Sequence, residues 1–236
     1  MRGAGSTLGV LGGMGPAATA EFLRLIAHRF PATRDQEHPR VLLLSEPGIP
    51  DRSSCVLTGD DAPLPQIREG LSTLVSWGAD LLAVPCNTAH VFIDRFRQEL
   101  PAPLVDIVEA TLATAVSRGA GASWLAATSG TVHGGLYQRR ALDLGHRLLL
   151  PEPHVQEGVE TTIRLVKMGR TEQAAACMTT VARSLWRTGP FPVIAACTEL
   201  PLAYEAAGLP PDMAVSSLEC LASSCVDTLL ARAGRR

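Results

Sequence analysis

The chain has 236 residues, 46% of them hydrophobic, and a formal net charge of −2. That length suits one large domain or two small ones, and that apolar content builds a core and excludes a disordered chain. Near-neutral charge, with arginines scattered rather than gathered into a tract, argues against a nucleic-acid or anionic-membrane partner.

"STLGVLGGMGPAATAEFLRLIAHRF" reads as a strand, a tight glycine turn and a helix. Leu8, Val10 and Leu11 supply the strand. Gly12, Gly13 and Gly15 open backbone angles barred to other residues, and Pro16 suits a first helical turn. Phe22, Leu23, Leu25 and Ile26 give the helix an apolar face. "RVLLLSEPGIPDR" is a continuous apolar run stopped by Pro47, Gly48 and Pro50, the pattern of a buried strand feeding a loop. "PLPQIREGLSTLVSWGAD" is an amphipathic helix ending at Gly78. "LLAVPC" is a third strand and "TAHVFIDRFRQEL" a third helix. Strands alternating with helices predict a mostly parallel sheet.

The plan then repeats. "ASWLAATSGTVHGGLYQRRALDLG" reads as strand, small-residue loop and helix, and "TTIRLVKMGRTEQAAACMTTVARSLWRTG" as helical. "HRLLLPEP" mirrors "RVLLLSEP" at an offset of 106 residues (146 − 40), and "FPVIAACTEL" mirrors "DLLAVPCNTA" at 111 (197 − 86). The fold class expected is α/β, two similar parallel-sheet α/β domains facing each other across a cleft. Their predicted bounds are 1–110 and 111–214, with a last helix over 215–236 returning to the first.

Six cysteines occur, with no C-x-x-C pair, so neither a metal site nor a disulfide framework is expected. They read as reduced thiols of a cytoplasmic protein. No apolar run reaches the roughly 18 residues of a membrane span, and no signal peptide stands apart from the glycine-rich turn. Cys86 and Cys197 are singular because each ends a predicted buried strand and precedes a helix. Ligands in such sheets bind beyond the carboxyl ends of the strands. Helix N–H groups stabilise a thiolate whose free pKa is roughly 8.5. Two thiols facing each other suit the inversion of a carbon stereocentre, one removing a proton and the other adding one on the opposite face. A thiol nucleophile would instead want a histidine, and His90 lies one helical turn after Cys86. Each Cys could also be a small buried hydrophobe. Lys167 is the chain's single lysine among 21 basic residues, which points to a position needing a compact ammonium, or else to a solvated helix residue.

"LGGMGPAATAEF", "PGIPDR", "PCNTAH", "ATSGTVHGGLYQ" and "CTELPL" together resemble the aspartate/glutamate racemase family, in particular its aspartate racemase branch. The resemblance runs from about Leu8 to Leu202. It implies an amino-acid racemase with no pyridoxal phosphate, metal or other cofactor, using Cys86 and Cys197 as acid and base. It implies that Arg52 and Lys167 hold the side-chain carboxylate of an acidic amino acid, aspartate first and glutamate second. Asn87, Thr88, Thr128, Thr131 and Thr198 match its contacts to the α-carboxylate and ammonium, though Asn and Thr here also suit helix caps, and Thr88 is expected to do both. Gly12, Gly13 and Met14 would line the cleft floor. Glu199 would support the second thiol's loop or stand near the ammonium, and Tyr137 reads as packing. A homodimer is implied. Gly134 stands where that family often has Ser, and Ala196 where Gly is usual.

Two other readings remain. Gly13-Met-Gly15-x-x-Ala18, with Asp35 about 20 residues on, weakly matches a dinucleotide fingerprint and would suit a nicotinamide-dependent oxidoreductase. A non-catalytic amino-acid-binding protein on the same fold is the other.

Overall fold

The computed structural model describes residues 6–234. The buried strand β1 (Leu8–Gly12) turns at Gly13, whose φ is 90°, into α1 (Pro16–Arg29). There follow β2 (Val41–Ser45), α2 (Arg52–Thr58), α3 (Pro63–Ser76), β3 (Leu81–Ala83), α4 (Ala89–Ile93) and β4 (Leu104–Val105). These strands form a parallel sheet in the order β2-β1-β3-β4. Helix α5 (Ile107–Ser117) leads to β5 (Ala122–Ala127), α6 (Ser129–Gly134), α7 (Leu136–Asp143) and β6 (Arg147–Leu149). Then come α8 (Pro153–Lys167), α9 (Thr171–Thr188), β7 (Val193–Ala196), α10 (Leu200–Ala206), β8 (Ala214–Ser216) and α11 (Ser217–Ala233). The second sheet, β6-β5-β7-β8, is parallel and repeats the order of the first. The expected pair of similar α/β sheets is therefore observed.

Several elements differ from their sequence reading. The long helix of the second half is two helices, α8 and α9, parted at Gly169 with φ 71°. The small-residue loop expected after β5 is itself a short helix, α6, parted from α7 by Gly135 with φ 67°. An L side chain is strained in that left-handed region, so glycine is the residue that breaks each helix. The helix after Cys86 is α-helical only to Ile93 and continues as a 3-10 turn, Asp94–Glu99, with Phe96 off helical angles. The short edge strands β4 and β8 carry too few residues to show a period and were not anticipated. Residue 111 lies inside α5, so the passage between sheets is made by a helix.

Two apolar clusters cover the outer sheet faces. One includes Leu11, Ile67, Leu71 and Phe92, the other Trp124, Val159, Met178 and Leu185. A third lies between the sheets and takes residues from both: Leu8 and Leu81, Leu125 and Ile194, with Phe22, Leu112, Tyr137 and Leu221 from the intervening helices. Helix α11 packs on α1 and α5, and α5 on α7. The helix after each sheet thus lies against the helix that follows the other sheet's first strand. Burying a Leu or Phe side chain contributes about 1.5–3 kcal/mol. Several such side chains depend on both sheets at once, which holds the two facing each other.

Candidate active site

Chain connectivity puts the ends of β1, β3, β5 and β7 on one rim of each sheet, and the two rims bound a narrow cavity. Cys86, Asn87 and Thr88 follow β3, and Cys197, Thr198 and Glu199 follow β7. Met14 enters from the turn after β1 and Thr128 from the end of β5. Arg52 stands at the start of α2, and Lys167 at the end of α8. Ten of the residues named from the sequence thus converge on one cavity.

Both thiols are buried, Cys86 at 6% and Cys197 at 7% exposure. Cys197 Sγ donates to Glu199 Oε2 at 3.0 Å. Burial, then the Glu199 charge, pushes this thiol well above its ordinary range. Cys197 is therefore a protonated thiol. The expectation that the following helix favours a thiolate fails here, because desolvation and an adjacent carboxylate outweigh the N–H groups of a seven-residue helix. His90 does not serve Cys86 as a base. Its Nδ1 lies 2.8 Å from the Cys86 carbonyl, which makes Nδ1 the protonated, donating nitrogen, and Nε2 is buried without a partner. Complete burial lowers its pKa to about 4, so the ring is neutral.

The polar residues around the thiols are tied together. Tyr137 donates to Asn87 Oδ1 at 2.7 Å, Asn87 Nδ2 to Ser217 Oγ at 3.0 Å, and Ser217 Oγ to the Ala195 carbonyl at 2.8 Å. Tyr137 therefore orients Asn87 as well as packing, a role the sequence reading missed. Burial pushes its phenol far up, so it stays a donor. Thr88, Thr128 and Thr131 hydroxyls lie 2.8–3.0 Å from one another. Thr88 makes no capping bond, contrary to expectation, while Thr128 caps α6 through the Thr131 N–H. Thr131 stands behind this cluster, outside the cavity wall. Gly13 does not line the floor either. A Cβ there would fall 2.6 Å from the Glu46 backbone, and its N–H goes to Thr19 Oγ1 at 3.0 Å. Gly12 is similarly filled by Thr19 at 2.3 Å, so Met14 alone of the three lines the cavity.

Arg52 Nη1 donates to the Ile49 and Pro50 carbonyls, at 3.0 and 3.1 Å, leaving Nε buried and unpartnered. Lys167 is exposed at its tip of the cavity and forms no ion pair among the described residues. Asp51 and Ser53 complete the wall and had not been singled out. Burial raises the Asp51 carboxyl, but bonds from Ser54 and the Lys167 and Arg52 charges outweigh it and hold the group below its ordinary value. A cap signal was present in "PDRSS"; no sequence signal marks Ser53. Ser53 Oγ accepts from the Gly130 N–H at 2.9 Å, joining α2 to α6 across the cleft. Gly134 has a steric reason, since a Cβ there would lie 2.7 Å from Val91 Cγ2.

Duplicated parallel sheets with a thiol after the third strand of each define a protein of the amino-acid racemase class, an isomerase. More particularly, the chain belongs to the Asp/Glu/hydantoin racemase family, whose model matches residues 11–225. It is 28% identical over 231 residues to the broad specificity amino-acid racemase RacX of Bacillus subtilis (strain 168), covering 95% of this chain and 98% of that one. It is similar to Picrophilus torridus aspartate racemase, with TM-score 0.81 and 28% identity over 98% of this chain and 95% of that one. Glutamate racemase from Thermus thermophilus, in complex with β-chloro-D-alanine, shares the fold at TM-score 0.68 and 20% identity, over 97% and 82% of the two chains. The nicotinamide reading falls with this membership. Its fingerprint turn is packed against the Glu46–Pro47 backbone, where a dinucleotide would need open space.

Proposed function

We propose that the protein inverts the α-carbon of an acidic amino acid, aspartate first and glutamate second, by two-base proton transfer between Cys86 and Cys197 with no cofactor. The observation that carries this is the presence of both thiols, from equivalent strand ends, on the wall of one cavity. In one direction the Cys86 thiolate takes the α-proton: the Cα–H bond breaks, its electron pair stays on the substrate, and S–H forms. The Cys197 S–H bond then breaks as its proton joins the opposite face of Cα. In the other direction the two exchange roles. Thr88, Thr128, Thr198 and Asn87 offer hydrogen bonds to the α-carboxylate as negative charge spreads into it. Arg52 and Lys167 receive the side-chain carboxylate. The same reading includes a homodimer in the cytoplasm; no helix among the described residues is long and apolar enough to cross a membrane.

A second reading, a wider range of side chains, is favoured by Asp51. Its carboxylate shares the cavity with Lys167 and offsets part of the cationic charge. The B. subtilis relative, named for broad specificity, agrees with it. A chiral assay over a panel of amino acids in deuterium oxide tests both. Aspartate should yield both enantiomers with deuterium at Cα, and Cys86→Ser or Cys197→Ser should abolish inversion. Inversion that survives both substitutions would overturn the two-thiol mechanism, and a preferred neutral amino acid would select the wider reading.

A further inference from the structure

Glu199 is buried to 3% exposure in the cavity wall and forms no ion pair among the described residues. Its Oε2 accepts from the Cys197 thiol at 3.0 Å and from Thr198 Oγ1 at 3.3 Å. Lys167 lines the same cavity yet stays beyond ion-pair distance. A buried carboxylate with no opposite charge is costly to keep, so the site is short of one cation. A zwitterionic amino acid brings one, its α-ammonium, bonded to the carbon that Cys197 must reach.

We propose that Glu199 seats the substrate's α-ammonium and thereby releases the catalytic thiol beside it. With the cavity empty, the carboxylate keeps the proton on Cys197. With an ammonium bound, the same carboxylate is neutralised by its new partner, and the thiol is free to turn to Cα. In the direction in which Cys197 is the acid, its proton goes to the substrate carbon, as in the mechanism above, on which this inference rests. An amino acid would thus switch on the thiol that acts on it, while a carboxylic acid lacking the amine would not. The carboxylate also prevents Cys197 from lying idle as a reactive thiolate. Besides Glu199, the titratable and charged groups around Cys197 are Lys167 from α8, Tyr137 from α7, Arg52 from α2 and Asp51 capping it, and Cys86. Lys167 opposes Glu199 in its effect on the thiol but acts more weakly than burial and Glu199.

The test follows alkylation of Cys197 by iodoacetamide against pH, read by peptide mass spectrometry, in the wild type, Glu199→Gln and Glu199→Asp. Removing the charge in Glu199→Gln should move the Cys197 midpoint down by at least about one pH unit, a tenfold faster reaction below the midpoint. Glu199→Asp keeps the charge and should stay near the wild type. Coincident midpoints in the wild type and Glu199→Gln would overturn the thiol half of the proposal. Calorimetric titration then compares the α-methyl form of the amino acid that the enzyme turns over with the same acid lacking the amine. The wild type should prefer the amine by at least about tenfold, and Glu199→Gln should lose most of that preference. An unchanged preference would overturn the ammonium half. A protein that inverts no amino acid, yet shows the shifted midpoint, would overturn the racemase mechanism and the ammonium seat together, and leave only the hold on the Cys197 proton.

Discussion

Lys167 is the cavity residue whose charge is least committed within the protein, since it forms no ion pair among the described residues. A charge-assisted contact to a substrate carboxylate is worth about 1.5–3 kcal/mol, which is roughly tenfold to a hundredfold. Lys167→Ala should lower kcat/KM for aspartate by that factor and leave residual rates on neutral amino acids nearly intact; an unchanged aspartate-to-alanine ratio would return Lys167 to a solvated helix residue. Lys167→Arg should also impair aspartate turnover, because a planar guanidinium donates in a fixed fork. His90 carries a different prediction, about stability. Its pKa is lowered from 6.5 to about 4 by burial, so the unfolded chain takes up a proton between those values and the folded chain does not. The stabilisation is therefore complete above pH 6.5 and is lost as pH falls toward 4, by about 3 kcal/mol in all. Urea unfolding at pH 7 and near pH 4.5 should show a loss that His90→Asn removes. An equal loss in the variant would assign the acid sensitivity to other groups.

The elements owe their lengths to single glycines and close contacts more than to periodicity. Gly134 ends α6 with Val91 Cγ atoms 2.7 and 2.9 Å from where a Cβ would stand. A branched side chain held in α4 has little room to give. Gly134→Ala should cost about 1–3 kcal/mol by overpacking, a drop of several degrees in Tm. Val91→Ala in the same chain should recover most of it, and a simple sum of the two losses would show that the residues do not meet. The breaks at Gly135 and Gly169 act on the backbone instead, through left-handed angles that the apolar pattern of the surrounding sequence does not report.

At the scale of the whole molecule, the central cluster takes side chains from both sheets and from α1, α5, α7 and α11. Asp106 accepts from the Val108 and Glu109 N–H groups at the start of α5 and is paired with Arg97, so the helix that crosses between the sheets is anchored by charge and by apolar contact. Separation of the halves would expose that shared core. Calorimetry should therefore give one unfolding transition, with van't Hoff and calorimetric enthalpies in agreement. Two resolved transitions would mean that the halves hold their cores independently, as separate domains do.

The sequence by itself determined the alternation of strand and helix, the duplication and the two strand ends that carry thiols. These are local facts, written in apolar runs, glycine turns and the repeat of "LLLSEP" as "LLLPEP". It also named ten of the twelve residues on the cavity wall, because family motifs cluster at those strand ends. Only the tertiary structure decided which neighbour each polar group would meet. Nothing in "CTEL" says that Glu199 turns back to the Cys197 thiol, and nothing in "CNTAH" says that His90 turns to a carbonyl. Asn87 is oriented by Tyr137 and Ser217, 50 and 130 residues away along the chain. Hydrogen-bond partners and burial are properties of distance in space, and a pKa follows from both. The residues of the cavity wall were therefore legible in the chain, while their hydrogen-bond partners and burial came from the fold.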